Sequence, residues 1–124
     1  MKVRWMDHSL RMRITPTEFD HLCRGQAVEE RLCDGSWSLA LVVGAQTELR
    51  TSGASTTVCL SAADIGRLSQ DATEGVYFTS GGSRPIRYFI EKDFPCAHER
   101  PPQTCEPLTE TFAPPPGFKA RHQQ

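Results

Sequence analysis

The sequence predicts an α+β domain over residues 1–94 and a proline-rich, flexible tail over residues 95–124. The domain is expected to hold a mainly antiparallel sheet, twisted or barrel-like, made of two pseudo-repeated β-α-β-β units with two short helices. Three observations carry this expectation. Apolar and polar residues alternate with period two in many short segments, the mark of strands with one buried face. Two other stretches show helical spacing, and each opens on a capping residue. Seven of the nine prolines fall after residue 94, where both patterns stop.

The first segment is "KVRWMDHSLRMRI". Val3 and Trp5 share one parity, whereas Leu10, Met12 and Ile14 share the other, with Arg11 and Arg13 between them. A tight turn at Asp7-His8 would join two antiparallel strands and account for the switch. "ITPTEFDHLCRG" follows. Thr15 can cap, Pro16 suits the first helical position, and Glu18 completes a capping box. Phe19 and Leu22 form the apolar stripe, and Gly25 is a natural stop. "AVEERL" alternates, "DGS" is a turn signal, and "WSLALVV" sets Trp37, Leu39, Leu41 and Val43 on one side.

The second half begins with a weak strand, "TELRT", a turn, "SGAS", and a stronger strand, "TTVCL". Ser61 then caps a short helix with Asp64 at its third position and Ile65 and Leu68 inward. "GVYFT" is a strand and "SGGS" a hairpin turn, since a phosphate loop would need a Lys-Ser/Thr and a following helix. In "RPIRYFIEKDF" both parities carry apolar residues, which predicts a central strand covered on both faces. The halves superpose in sequence at an offset near 46: Ile14 on Leu60, Thr15 on Ser61, Glu18 on Asp64, Phe19 on Ile65, Leu22 on Leu68. In the tail, "RPPQ" and "APPPGF" favour extended polyproline backbone, with Leu108, Phe112 and Phe118 available to pin it to the domain.

Composition narrows the function classes. A chain of 124 residues suits one domain, and 38% hydrophobic with 8% aromatic content implies a core of Leu, Val and Ile. The net charge of −1 gives nucleic-acid binding no support. No apolar run approaches the ~20 residues of a membrane helix. The charged N-terminus is unlike a signal peptide, so a soluble, cytoplasmic protein is expected. Five scattered cysteines without a CxxC pair argue against a disulfide framework, and Cys23 and Cys59 read as small core residues.

"KVRW", "LRMRIT" and above all "FIEKDFPC" resemble a family of small uncharacterised bacterial proteins, a domain of unknown function with an Ile-Glu-Lys-Asp-Phe-x-Cys segment near the C-terminus. The resemblance spans roughly residues 2–96. It implies membership and no reaction.

Four groups of residues are candidates for a site. Arg11, Arg13, Arg31, Arg50 and Arg87, with Glu29 and Glu91, lie on the parity opposite the apolar residues of their strands, and Lys92 follows directly. Facing solvent they would form an ordinary charged surface; facing the inside of a barrel they would line an anion or phosphate pocket. Cys96, His98 and Cys105 offer zinc-type ligands, although the spacing provides only one tight pair. Cys96 also lies near Lys92, His98 and Arg100, which favours a reactive thiolate, but nothing supplies its base. Trp5, Trp37, Tyr77 and Phe89 could stack on nucleic acid, yet alternation places Trp5 and Trp37 with the core.

The expected function is that of a non-enzymatic accessory or binding protein, monomer or homodimer, whose partner is a protein or a small anion. An anion-binding enzyme using the Arg/Glu/Lys face and a metal-binding protein using Cys96, His98 and Cys105 are the alternatives. No membrane or nucleic-acid partner is expected, and no cofactor unless the Cys96–Cys105 junction holds zinc.

Overall fold

The computed structural model describes residues 1–31, 34–95 and 110–118. Strand β1 (Lys2–Met6) turns into β2 (Ser9–Ile14), which leads to helix α1 (Pro16–Cys23) and then β3 (Val28–Arg31) and β4 (Ser38–Gly44). The second half runs β5 (Glu48–Ser52), β6 (Ser55–Ser61), α2 (Ala62–Leu68), β7 (Gly75–Thr79) and β8 (Arg87–Lys92). The class is α+β.

The strands form two four-stranded sheets instead of one continuous or barrel-like sheet. Sheet A has the order β1-β2-β8-β7 and sheet B the order β3-β4-β6-β5. Each sheet joins a hairpin from the first half to a hairpin from the second. The outer pairings are antiparallel, but the central pairs, β2 with β8 and β4 with β6, are parallel. Neither sheet closes, because each is bounded by two edge strands: β1 and β7 in one, β3 and β5 in the other. Exchanging β1 to β4 for β5 to β8 converts one strand order into the other. The registers follow: Met12 faces Val3 and Ile90, and Val58, 46 positions on, faces Leu49 and Leu41.

Alternation explains why the sheets pack on each other. Leu10, Met12, Ile14, Val76, Tyr88 and Ile90 of sheet A meet Val28, Leu39, Leu41, Val58 and Leu60 of sheet B in one apolar cluster. Leu22 of α1 and Leu68 of α2 add the helices to it. Burying one such aliphatic side chain contributes roughly 1.5–3 kcal/mol, so these residues are the main stabilising term. Cys59 is buried, but Cys23 is exposed at the end of α1, where the stripe of Phe19 and Leu22 already fills the inward side.

Both helix starts are capped by side chains. Thr15 Oγ1 accepts from the Glu18 N–H, and Glu18 Oε1 accepts from the Thr15 N–H at 2.9 Å. Gly25 follows α1 at φ 77°, a left-handed conformation that favours glycine and closes the helix. At α2, Ser61 Oγ accepts from the Asp64 N–H at 3.2 Å. The Asp64 carboxylate in turn accepts from Ser61 Oγ, Thr47 Oγ1 and Arg67 Nη1, which ties the β4–β5 loop to the helix. Burial alone would raise the Asp64 pKa; the hydrogen bonds from Thr47, Ser61 and Arg67 outweigh it and hold the carboxyl below its usual value.

Residues 110–118 lie against the domain. The Phe112 N–H donates to the Asp93 carbonyl at 2.9 Å, and the Thr17 N–H donates to Glu110 Oε1 at 2.9 Å. The Phe112 ring meets Phe19 and Phe94 edge-on, and Phe118 packs 4.8 Å from Phe94 between centroids. Phe112 thus joins the helix α1 side of the core to Phe94 beyond β8, and Phe118 packs on that same Phe94; Leu108 lies outside the described residues.

Two outcomes follow. Asp64→Asn lowers stability by about 1–2 kcal/mol at pH 7, the size of a lost cap and its hydrogen bonds. The folded-state pKa is depressed, so this contribution is complete above the usual aspartate range and fades as pH falls below about 4. Denaturant titrations of both proteins at pH 7 and pH 3 should show the gap narrowing at the lower pH. Phe112→Ala removes half-buried contacts with Phe19 and Phe94 and should lower stability by about 1–2 kcal/mol in thermal melts.

Candidate functional site

The pairings of sheet A align its outward side chains in three rows. One row is Lys2, Arg13, Glu91 and Gly75; the next is Arg4, Arg11, Phe89 and Tyr77; the third is Met6, Ser9, Arg87 and Thr79. Lys2, Arg4, Arg11, Arg13 and Arg87 therefore share a surface whose carboxylates, among the described residues, are Glu91 and, just beyond β8, Asp93. Across the β1–β2 hairpin, Lys2 stands directly opposite Arg13, and Arg4 directly opposite Arg11. Like charges facing one another on an antiparallel pair are destabilising. This hairpin carries two such pairs in succession.

Two of the cations are partly neutralised. Arg11 forms a fork on Glu91, with Nε 2.6 Å from Oε1 and Nη2 3.2 Å from Oε2. Glu91 is only 8% exposed, so this pair is better sheltered than a surface ion pair and fixes the Arg11 guanidinium. Gly75 opens the space it occupies: a Cβ there would come within 2.8 Å of Glu91 Cγ. Lys2 Nζ lies 3.0 Å from the buried Asp93 Oδ2. Arg4, Arg13 and Arg87 form no ion pair among the described residues.

The surface has relief. One hollow of about 230 Å³ is lined by Lys2, Arg4, Arg11 and Arg13. A second, of about 300 Å³, shares Arg4 and Arg11 and extends over Met6, Ser9, Phe89, Tyr77 and the Glu91 carboxylate held by Arg11. Tyr77 is 50% exposed, and its ring centroid lies 5.5 Å from that of Phe89. Cations and aromatic faces thus sit side by side on an open sheet.

The corresponding surface of sheet B is different. At the positions matching Lys2, Arg4, Arg11 and Arg13 stand Glu48, Arg50, Thr57 and Cys59. Arg50 pairs with Glu48 at 3.2 Å and Arg31 with Glu29 at 2.7 Å, leaving two cations balanced by two carboxylates. Exposed pairs of this kind contribute little to stability.

The structure therefore divides the charged residues expected to act together. Arg11, Arg13 and Arg87 are on the outer face of sheet A, but Arg31 and Arg50 are on the other sheet. Lys92 has the inward parity of Tyr88 and Ile90. Its ammonium donates to the Gln70 carbonyl at 2.8 Å, beyond the end of α2, and lies 5.6 Å from the Phe112 ring centroid. Burial lowers its pKa, with Asp71 opposing the shift. Lys92 thus belongs to the packing of α2 and the 110–118 segment, away from the Arg11–Arg13 surface.

The aromatic set is divided too. Trp5 and Trp37 meet edge-on at 6.0 Å between the two sheets, on the inward parity. Trp5 is nevertheless 50% exposed, because β1 is the edge strand of the sheet among the described residues. Only Tyr77 and Phe89 join the cationic surface. Lys2 and Arg4 also belong to this surface, and their alternation with Val3 and Trp5 in "KVRW" carries the signal for it. Cys96, His98 and Cys105 lie outside the described residues. Among the described residues, no group of three or more His, Cys, Asp or Glu side chains is placed to hold a metal, and no helix is long and apolar enough to cross a membrane.

The chain belongs to a family of unknown function, DUF7009, whose match covers residues 1–114. That match includes both halves of the domain and reaches Phe112. No curated protein and no solved structure matches the chain.

The tight fit at Gly75 gives a direct test of how the Arg11 fork is built. In Gly75→Ala the new Cβ would press on Glu91 Cγ at 2.8 Å and on the Ile90 carbonyl at 2.9 Å. Backbone cannot yield cheaply there, so the variant should lose about 1–3 kcal/mol in chemical denaturation.

Proposed function

We propose that this chain is an accessory binding protein whose outer sheet A surface holds an anionic partner, working in a bacterial cytoplasm without catalysing a reaction itself. The observation that carries this reading is the succession of two cation-on-cation pairs, Lys2 with Arg13 and Arg4 with Arg11. Such pairs oppose folding of the free protein, and an anion placed between them converts repulsion into charge-assisted hydrogen bonds. The matching positions of sheet B support the contrast, because they keep the same backbone pairing with balanced charge. We read the halves as a pseudo-repeat in which one surface has become cationic. The openness of the face suits holding a partner more than it suits excluding water from a reaction.

Inorganic polyphosphate serves as the test ligand. It should raise the melting temperature of the full chain by mass action, and added salt should weaken the effect. Arg4→Ser and Arg13→Ser should leave the ligand-free melting temperature unchanged or higher, because each removes a repulsion. Both should abolish the polyphosphate-dependent rise. Arg31→Ser and Arg50→Ser should retain it. Equal loss in the sheet B variants, or no rise in the unmodified protein, would refute this assignment.

A further inference from the structure

Resting on that reading, we infer that the anion is a single-stranded nucleic acid, with its phosphates on Lys2, Arg4 and Arg13 and its bases on Tyr77 and Phe89. The chain's net charge of −1 argues against nucleic acid only if the charge is spread evenly, and it is not. Among the described residues, five cations gather on one sheet face against two carboxylates, whereas the equivalent face of sheet B is balanced.

The second observation concerns the aromatic rings. A tyrosine hydroxyl can donate to a phosphate, but a phosphate has no use for an exposed ring face. Tyr77 nevertheless stands half exposed beside Phe89, in the same row as Arg4 and Arg11. At this level the four strands of sheet A present two cations and then two aromatic rings. The two hollows meet at Arg4 and Arg11, so a backbone lying in the cationic hollow has its next planar group over the aromatic one. Stacking on a side-chain ring is indifferent to base identity, so this arrangement predicts little sequence preference.

The shape decides among nucleic-acid ligands. Pockets for free nucleotides enclose most of the ligand. Here the lining residues Arg4, Met6 and Tyr77 are themselves exposed, so a lone nucleotide would remain largely in water. A polymer overcomes this by adding phosphate contacts along its length. A duplex keeps its bases stacked on one another and cannot offer them to Tyr77. An open four-stranded sheet with aromatic residues on adjacent strands accommodates about two or three unstacked bases.

The test uses the full chain and fluorescence anisotropy at fixed moderate salt. The probes are labelled 12-residue oligo-dT and oligo-U, a duplex of the same length, and inorganic polyphosphate as competitor. The single strands should bind at least about tenfold more tightly than the duplex. Tyr77→Ala should weaken single-strand binding by about fivefold to a hundredfold, the range for losing one stacked base, and leave polyphosphate competition unchanged. Tyr77→Trp should restore it. Arg4→Ser should weaken both ligands. The exposed position of Tyr77 lets these variants fold, and their melting curves would confirm it. If polyphosphate binds but single strands gain nothing from Tyr77, or the duplex binds equally well, the nucleic-acid inference is overturned and the anion reading stands. If neither ligand binds, both fall.

Discussion

The parallel pairing of strands from opposite halves is the constraint on which the rest of this structure depends. Ser9 to Ile14 of β2 runs beside Arg87 to Lys92 of β8, and Ser38 to Gly44 of β4 runs beside Ser55 to Ser61 of β6. Each half therefore gives one hairpin to each sheet, and neither half owns a complete sheet. A two-stranded hairpin is marginal in water. Only when both halves are present does each central strand have neighbours on both sides and an apolar face to bury. Leu22 and Leu68 then close the core from the helices, which link the hairpins within each half. The cost is kinetic: β2 cannot complete its pairing until residues nearly a whole domain later arrive, and such non-local topologies fold slowly.

The same constraint frees the outer faces. Once the inward rows hold the sheets together, the outward rows are limited mainly by solubility and by direct cross-strand charge. Sheet B follows that limit, pairing Glu29 with Arg31 and Glu48 with Arg50 along its edge strands. Sheet A departs from it in the β1–β2 hairpin. The departure is partly offset in the fold: the buried Asp93 faces Lys2, and the sheltered Glu91 grips Arg11. Glu91 fits there because Gly75 on the adjacent strand has no side chain. Thus an apparently ordinary strand-start glycine, a buried carboxylate and a cation at the hairpin form one connected arrangement.

Much of this was legible in sequence, for a physical reason. Alternation is set by the pleat of a single strand, and caps by the geometry of a single helix end, so Leu10, Met12, Leu39, Leu41, Thr15 and Ser61 all declared their roles locally. Which strands pair was not legible. Nothing in "SLRMRI" specifies β8 as its neighbour, since parallel partners meet only through the tertiary fold. Alternation alone is therefore compatible with one sheet as well as two, and does not separate Arg31 and Arg50 from Arg11. Lys92 shows a subtler failure. Its parity matches Tyr88 and Ile90, so alternation already placed it inside, but its charge suggested the surface. The Gln70 carbonyl and the Phe112 ring, neither near it in sequence, make the inward position tolerable.

The position of residues 110–118 extends this argument from fold to site. Phe112 touches Phe19 of the first half and Phe94 beyond the last strand of the second, while its N–H donates to the Asp93 carbonyl. Asp93 is the carboxylate opposite Lys2, and its own N–H donates to the Ile14 carbonyl at the end of β2. The segment therefore meets the chain at Asp93, just past the row that contains Lys2, Arg13 and Glu91. Its hydrogen bonds and ring contacts lie away from the rows of Arg4, Phe89 and Tyr77, and of Met6 and Arg87. The described tail residues are thus anchored beside Asp93 and Lys2, at one end of the cationic surface, and not at the aromatic end where bases would stack.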